Sequence, residues 1–483
     1  MSKVQSPVYK GNFVNGDWRM PKTDSCFESI NPATQEVIAT CRMSGEREVD
    51  EAVSSAHEAF QAWRRIPAPH RAEILYTLSD LLASRKEAIA QTMTIEMGKV
   101  LGESRSELDA TIAACRYMAG EGRRLFGETI PTSASDRMAM TIREPIGVVA
   151  CITPWNFPIA LAAYKIFAAL IAGNTVVWKP ASNVALSACA FTELFALAGL
   201  PPGVLNLVLG SGSQVGEALV EHPDVKVISF TGSTAVGIRL AEKGSRTLKR
   251  VSLELGGKNG VIVLADADLD KAAEGIVKAA FTTAGQRCTA ASRVIAEESI
   301  REELERRVVA RTKSITVGDG LQPGVEMGPL ATRSQLDTVE RYVEIAQAQG
   351  GIVLTGAERL EHSGYFYAPT VITNVRPTDR IAKEEVFGPV LAILGAKNFE
   401  EAVAINNNTE YGLSSAIYTN SLHYAGRAMR ELESGLVYIN SGTSSSETGA
   451  PFGGMKMSGN GHREVSHHAF DTMTEWKTIY TNV

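Results

Sequence analysis

The thiol of Cys288, in Gly285-Gln286-Arg287-Cys288-Thr289, and the carboxylate of Glu254, in Leu253-Glu254-Leu255-Gly256-Gly257, are the pair best suited to act together. A thiolate attacks carbonyl carbon readily, and a carboxylate can deprotonate water, so the two suit a reaction that forms a thioester and then hydrolyses it. Each alone has a plainer reading. Free cysteine is most often a buried structural thiol, and a lone glutamate is most often salt-bridged or a cap. Asn156, in Pro154-Trp155-Asn156-Phe157-Pro158, is a neutral amide in a strand-to-helix turn. It reads either as a helix cap or as an oxyanion donor beside the thiol. Arg287 would lower the thiol pKa if its charge faces inward.

Two glycine-rich segments suit a phosphate. Gly210-Ser211-Gly212-Ser213-Gln214-Val215-Gly216 follows an apolar run and opens a helical one, which alone is equally a tight turn. Gly232-Ser233-Thr234-Ala235-Val236-Gly237 follows the run ending at Phe230, and there helix N–H groups and the Ser233 hydroxyl could hold a pyrophosphate. Two such loops together favour a dinucleotide. Lys179-Pro180-Ala181-Ser182 leaves Lys179 at a strand end, where it is ordinarily solvated but could donate to ribose hydroxyls or a phosphate. Glu384-Glu385-Val386-Phe387-Gly388-Pro389 reads alone as an exposed loop; its carboxylate and ring could hold a ribose and a nicotinamide.

The elements that must position these groups follow from periodicity. Val49, Val53, Ala56, Phe60 and Trp63 mark one face of a helix near Val49–Arg64, with more amphipathic helix to about Gly120. Residues 128–145 read as extended and polar. From 147, the apolar runs Gly147–Ile152, Thr175–Trp178, Val204–Val208, Val225–Phe230 and Val251–Leu255 alternate with helices near 158–172, 183–198, 213–221 and 234–244. That is the pattern of a doubly wound parallel sheet, which binds ligands at the carboxyl ends of its strands. The alternation resumes after 258 and runs to about 435, predicting a second α/β domain with Glu254 at the junction. Thr474–Val483 reads as an edge strand that suits packing on a partner subunit.

The chain of 483 residues, 44% hydrophobic and 21% charged, is long enough for two or three domains. A formal charge of −6 argues against general nucleic-acid or membrane-surface binding. Six scattered cysteines without CxxC spacing predict neither a metal site nor a disulfide framework, and fit a reducing compartment. Met1–Gly11 is polar, and the longest apolar stretch, Ile159–Ala172, contains Lys165 and is too short to span a bilayer. The expectation is a cytoplasmic protein.

In their order along the chain, Pro154–Pro158, Lys179-Pro180, Phe230–Ser233, Glu254–Gly257, Gly285–Cys288, Glu385–Pro389 and Pro451-Phe452-Gly453-Gly454 resemble the NAD(P)-dependent aldehyde dehydrogenase superfamily, its semialdehyde-dehydrogenase-like branch included. The resemblance runs from Asn15-Gly16-Asp17-Trp18 to Trp476. It implies an α/β fold with two doubly wound parallel-sheet domains plus a β oligomerisation flap: 1–125 and 146–253 binding the dinucleotide, 254–462 catalytic, and 126–145 with 463–483 forming the flap. Cys288 resembles the nucleophile, Glu254 the general base, Asn156 with the Cys288 N–H the oxyanion donors, and Lys165 a proton-relaying lysine. Trp155, Lys179, Ser182, Gly212, Gly216, Phe230, Gly232, Ser233, Leu255, Glu385 and Phe387 match cofactor-contact positions, for NADP and/or NAD. Homodimers or homotetramers are implied.

The chain departs from its relatives in two places. Many NAD-preferring relatives carry a glutamate where Ser182 stands; a carboxylate there repels a 2′-phosphate, so Ser182 with Lys179 predicts that NADP is accepted. Two substrate-binding arginines of succinate-semialdehyde dehydrogenases are replaced by Tyr164 and Thr282. Arg287, Arg123 or Arg124 remain to hold an anionic aldehyde, whereas Tyr164, Trp155 and Phe452 suit an apolar or aromatic one. Thr289 and Ser444, the latter in a hydroxyl-rich loop over 441–446, complete the expected substrate pocket. Against aldehyde oxidation stand a CoA-acylating semialdehyde dehydrogenase, in which CoA takes the acyl group, and a non-catalytic member. Glu254 argues against the first, and Cys288, Glu254 and Asn156 together argue against the second.

Overall fold

The apolar runs of the middle of the chain become a seven-stranded sheet in the order Arg250–Glu254, Val225–Thr231, Val148–Ile152, Thr175–Lys179, Leu205–Leu207, Asn12–Val14, Asp17–Arg19. The first five strands are parallel, and the two N-terminal strands close one edge antiparallel. In this computed structural model, which describes residues 9–482, Val149, Cys151, Val176 and Trp178 face one layer of helices. Val148, Ala150, Ile152 and Val177 face the other. Burial on both faces explains why these strands read as unbroken apolar runs. The strand order reverses between Val148–Ile152 and Val225–Thr231, which makes the gap beyond their carboxyl ends the crevice where a ligand fits. The turns Thr153–Pro158 and Gly232–Ser233 leave the sheet there.

A second seven-stranded sheet runs Ile352–Thr355, Thr370–Thr373, Val390–Ala396, Ala291–Glu297, Asn259–Val263, Ser414–Tyr418, Leu436–Ile439, parallel except at Ile352–Thr355. It has its own apolar core. A three-stranded antiparallel sheet places Arg137–Pro145 between Thr129–Ile130 and Thr474–Asn482, and the last pairs with Arg137–Pro145 along its whole length. Thr474–Asn482 is therefore an edge strand. Residues 1–8, most of the polar Met1–Gly11 stretch, and Val483 lie outside the described residues.

The expected helices form at Glu46–Trp63, Ala160–Ala172, Ala185–Leu197 and Thr234–Ser245, and Val49, Val53, Ala56, Phe60 and Trp63 are buried as their spacing predicts. Two elements differ. The helix expected over 213–221 begins as a wide turn at Gly212–Gly216, fixed by Ser211 accepting the Gln214 N–H, and only Glu217–Glu221 is α-helical. Two glycines in that turn disfavour regular helix. The strand expected at Val251–Leu255 is shifted to Arg250–Glu254, because the Leu255 N–H leaves the sheet to donate to the Ser458 carbonyl at 2.9 Å. That shift makes Glu254 the last residue of its strand, at the carboxyl end of the sheet. Among the described residues no helix is long and apolar enough to cross a membrane.

Candidate active site

Cys288 sits in the loop between the helix Leu269–Phe281 and the strand Ala291–Glu297. Thr283 (φ 59°), Ala284 (φ 53°) and Gly285 (φ 68°) are consecutive left-handed residues just before it. Such a conformation costs a non-glycine residue roughly 1–3 kcal/mol, so the surroundings must impose it. Glu103 accepts the Thr283 N–H at 2.7 Å, while the Gln286 side chain donates to the Thr283 carbonyl at 3.1 Å and accepts the Ala331 N–H at 2.9 Å. A side chain at Gly285 would collide with the backbone of Gly388, so the Cys288 loop lies directly on the Glu385–Pro389 segment. All six cysteines are free, and Cys288 is partly accessible. Burial pushes its pKa up to about 12; the Arg287 charge opposes this, while Glu385 and Glu254 add to it. The Arg287 charge acts on the thiol in the expected direction, but desolvation outweighs it, so burial leaves the pKa raised rather than lowered.

Asn156 is buried, and its Nδ2 donates to the Gln286 carbonyl at 3.0 Å, tying the turn of the first sheet to the Cys288 loop of the second. Its Oδ1 is buried without a partner. It does not cap the next helix: Glu107 does, accepting the Ile159 and Ala160 N–H groups at 2.9 Å each. Glu254 is buried, and neither carboxylate oxygen has a hydrogen-bond partner. Burial, reinforced by the Glu464 charge, raises its pKa well above the carboxylate range, against the opposing charges of Lys165 and Arg463. A buried carboxyl with a raised pKa is a strong base once it is ionised. Lys165, inside the apolar helix Ala160–Ala172, is buried in an ion pair with Glu464.

Of the residues expected to contact the cofactor, Lys179, Gly212, Gly216 and Ser233 lie at or just beyond the carboxyl ends of strands of the first sheet. Ser233 caps Thr234–Ser245 without spending its hydroxyl on the cap, leaving hydroxyl and helix terminus for an anion. Gly232 rests on the Phe230 ring and Gly237 on Leu255, so side chains at either glycine would collide. Gly212 and Gly216 face open space. Lys179 is buried rather than solvated, with its pKa lowered to about 8 by burial. The Ser182 hydroxyl is already committed, donating to the Gly210 carbonyl at 3.1 Å. Trp155 and Phe387 meet edge to face with centroids 5.6 Å apart. Glu385 is no exposed loop residue. Its Oε1 accepts the Gly257 N–H at 3.0 Å, and burial raises its pKa to about 7 against the Gly257 N–H and the Lys258 charge. Open glycine faces, an unspent cap hydroxyl and a half-buried carboxylate beside two rings fit a dinucleotide.

Of the expected substrate positions, Arg287 and Ser444 are in direct contact, and Thr289 is bonded to Thr443 beside them. Arg287 Nη2 donates to the Ser444 carbonyl at 2.6 Å, its guanidinium lies 5.2 Å from the Phe157 ring, and its Nε is buried without a partner. Phe452 lines a cavity of about 300 Å³ with Tyr438, Ser445 and Pro451. Tyr164 is half-buried, with its phenol pKa raised by burial and then by Glu107 and Glu464. Thr289 is buried and its carbonyl takes the Thr443 hydroxyl at 2.7 Å. The Thr282 hydroxyl turns back to the Lys278 carbonyl, ending the preceding helix. Arg124 pairs with Glu121. Sequence reasoning missed Lys99, Glu103, Glu107 and Glu464, which reach the site from distant segments without a local motif; the one signal was a lysine inside an apolar helix, which demanded a buried acid.

Comparison with known proteins matches residues 18–479 to the aldehyde dehydrogenase family. An alpha-ketoglutaric semialdehyde dehydrogenase of Bacillus subtilis (strain 168) is 41% identical over 474 residues, covering 97% of this chain and 97% of that protein. Betaine aldehyde dehydrogenase from Staphylococcus aureus, solved in complex with NAD+, superposes with a TM-score of 0.96 at 33% identity, over 98% of this chain and 95% of that one. An NADP dependent enzyme of E. coli superposes with a TM-score of 0.96 at 37% identity, over 98% of each chain. With its two parallel-sheet domains and its crevice between them, the chain belongs to the aldehyde dehydrogenase family, and its activity is the NAD(P)-dependent oxidation of an aldehyde.

Proposed function

We propose that Cys288 is the nucleophile, Glu254 the deacylating base and Asn156, with the Cys288 N–H, the oxyanion donor, and that the substrate is an aldehyde with a carboxylate at its far end. The observation that carries the catalytic part is the Asn156–Gln286 hydrogen bond, which sets an amide donor against the thiol loop at the crevice of the dinucleotide sheet. The partly accessible Cys288 thiol gives its proton to solvent, the resulting thiolate adds to the aldehyde carbon, and the oxyanion that forms is held by the Asn156 amide and the Cys288 N–H. Ser233, Lys179, Glu385 and the Trp155–Phe387 pair, with the other crevice positions, would hold NAD(P), which would supply the hydride acceptor. Glu254 then takes a proton from the water that hydrolyses the thioester, and Lys165 with Glu464 offers a route for that proton away from the crevice. A CoA-acylating enzyme has no use for a buried base in that position.

Arg287 supports the carboxylated substrate. A buried guanidinium nitrogen without a partner costs stability, and a substrate carboxylate would satisfy it. In an initial-rate panel of aliphatic, aromatic and ω-carboxylated aldehydes, the ω-carboxylated members should give the highest kcat/KM. Arg287→Gln should lower the ratio of kcat/KM for ω-carboxylated over uncharged aldehydes of equal length by about 10–100-fold. An unchanged ratio would rule out the charge pairing, because any effect on the thiol cancels in it.

Cofactor choice follows from Ser182 and Lys179. No carboxylate at 182 repels a 2′-phosphate, and with the serine hydroxyl committed to Gly210, Lys179 is left as the donor. The chain should accept NADP, and Ser182→Glu should raise the KM for NADP about tenfold or more while sparing NAD. A wild-type enzyme that refuses NADP contradicts this reading. The units 1–125 with 146–253, 254–462, and 126–145 with 463–483 serve as dinucleotide-binding, catalytic and oligomerising parts. Trp476 and Tyr480 are exposed on one face of the third sheet, apolar rings suited to a second copy. Light scattering should return a dimer or tetramer; a monomer would overturn that assignment. Six free thiols favour a reducing compartment such as the cytoplasm.

A further inference from the structure

The helix Leu101–Glu121 and the lysine before it touch both halves of the catalytic site without lining it. Lys99 is buried in an ion pair with Glu107, donates to the Asn156 carbonyl at 3.1 Å, and lies 4.5 Å from the centre of the Phe157 ring. Arg287 approaches the same ring at 5.2 Å. The Glu107 Oε1 holds the Ile159 and Ala160 N–H groups, so the Asn156–Phe157 turn is gripped on both sides. One helical turn earlier, Glu103 holds the Thr283 N–H at 2.7 Å and so fixes the left-handed run that leads to Cys288. The Glu103 Oε2 is buried without a partner. Asn156 belongs to a turn of one sheet and Cys288 to a loop of the other, so their relative placement is set by whatever bridges them.

We propose that Lys99, Glu103 and Glu107 are positioning residues that set the register between the oxyanion donor and the nucleophile. A buried ion pair is weak evidence of stability, since a well-packed apolar pair of similar volume is often as stable. Its use here is geometric: oxyanion stabilisation depends on donors fixed before the charge develops, and a misplacement of about 1 Å costs about a hundredfold in rate. The inference rests on the assignment of Asn156 as oxyanion donor.

The test is a double-mutant cycle read by the pre-steady-state rate of NAD(P)H formation, with cofactor Kd measured alongside. Lys99→Met and Glu107→Gln should each slow that phase about 10–100-fold and leave the cofactor Kd unchanged. In an Asn156→Ala background the same substitutions should cost no more than about twofold, because the group they place is gone. A full further loss in that background would show that they act by some other route and would overturn the inference. So would wild-type rates in both single variants. Glu107→Gln keeps the acceptor for the two helix N–H groups, so it carries the test if Lys99→Met does not fold. Glu103→Ala, which removes the acceptor of the Thr283 N–H, should change the rate of Cys288 alkylation by iodoacetamide, which Lys99→Met should leave alone; equal alkylation rates in all three proteins count against the Glu103 part. If Asn156→Ala itself keeps the wild-type rate, the oxyanion assignment fails, and this inference with it.

Discussion

Cys288→Ala is expected to lower kcat/KM for every aldehyde at least about a thousandfold, or about 4 kcal/mol of transition-state stabilisation, while the cofactor still binds. The crevice would survive, because Gly232, Ser233 and Glu385 owe nothing to the thiol side chain. What disappears is the one nucleophile. Cys26 is exposed on a strand of the pair Cys26–Ile30 and Val37–Arg42, and the four remaining cysteines are buried in the core, so no other thiol is placed to substitute. A variant retaining a tenth of wild-type activity would exclude covalent catalysis at this residue.

Glu254→Gln is expected to separate the two halves of the reaction. Glutamine fills the same space but cannot accept a proton, so acylation proceeds and hydrolysis stalls. Mixing the variant with aldehyde and NAD(P) should give a burst of one NAD(P)H per active site, then turnover slowed about 10²–10⁴-fold. The pH dependence carries a sign. Burial and Glu464 raise the Glu254 pKa, so its basic form is lost as pH falls through that raised value, and wild-type deacylation should weaken on the acid side. The Glu254→Gln variant should lack that limb. Added CoA should not speed its second phase, since the crevice is built for water; acceleration by CoA would favour the acyl-transfer reading.

Both sheets were legible because their strands are buried on two faces and their helices on one, and both patterns are written locally. Cys288, Glu254 and Asn156 stand out in the sequence as candidates, from their chemistry and flanking turns. Local reasoning could not reach Glu464, nearly three hundred residues from Lys165 in the chain and bound to it in the fold. Nor could it place Lys99, Glu103 and Glu107, whose helix reads as ordinary amphipathic sequence. The left-handed run at Thr283 and Ala284 runs against the preference of both residue types and is imposed by Glu103 from outside the loop and by the Gln286 side chain within it. The raised Cys288 pKa is hidden for a related reason: the neighbouring arginine is visible in sequence, but the desolvation that outweighs it is not.

The most direct test of the account is intact and peptide mass spectrometry of Glu254→Gln quenched in acid after the burst. One acyl group per chain is expected, carried as a thioester on the peptide containing Cys288 and removed by hydroxylamine. A burst of NAD(P)H with no adduct on Cys288 would contradict it.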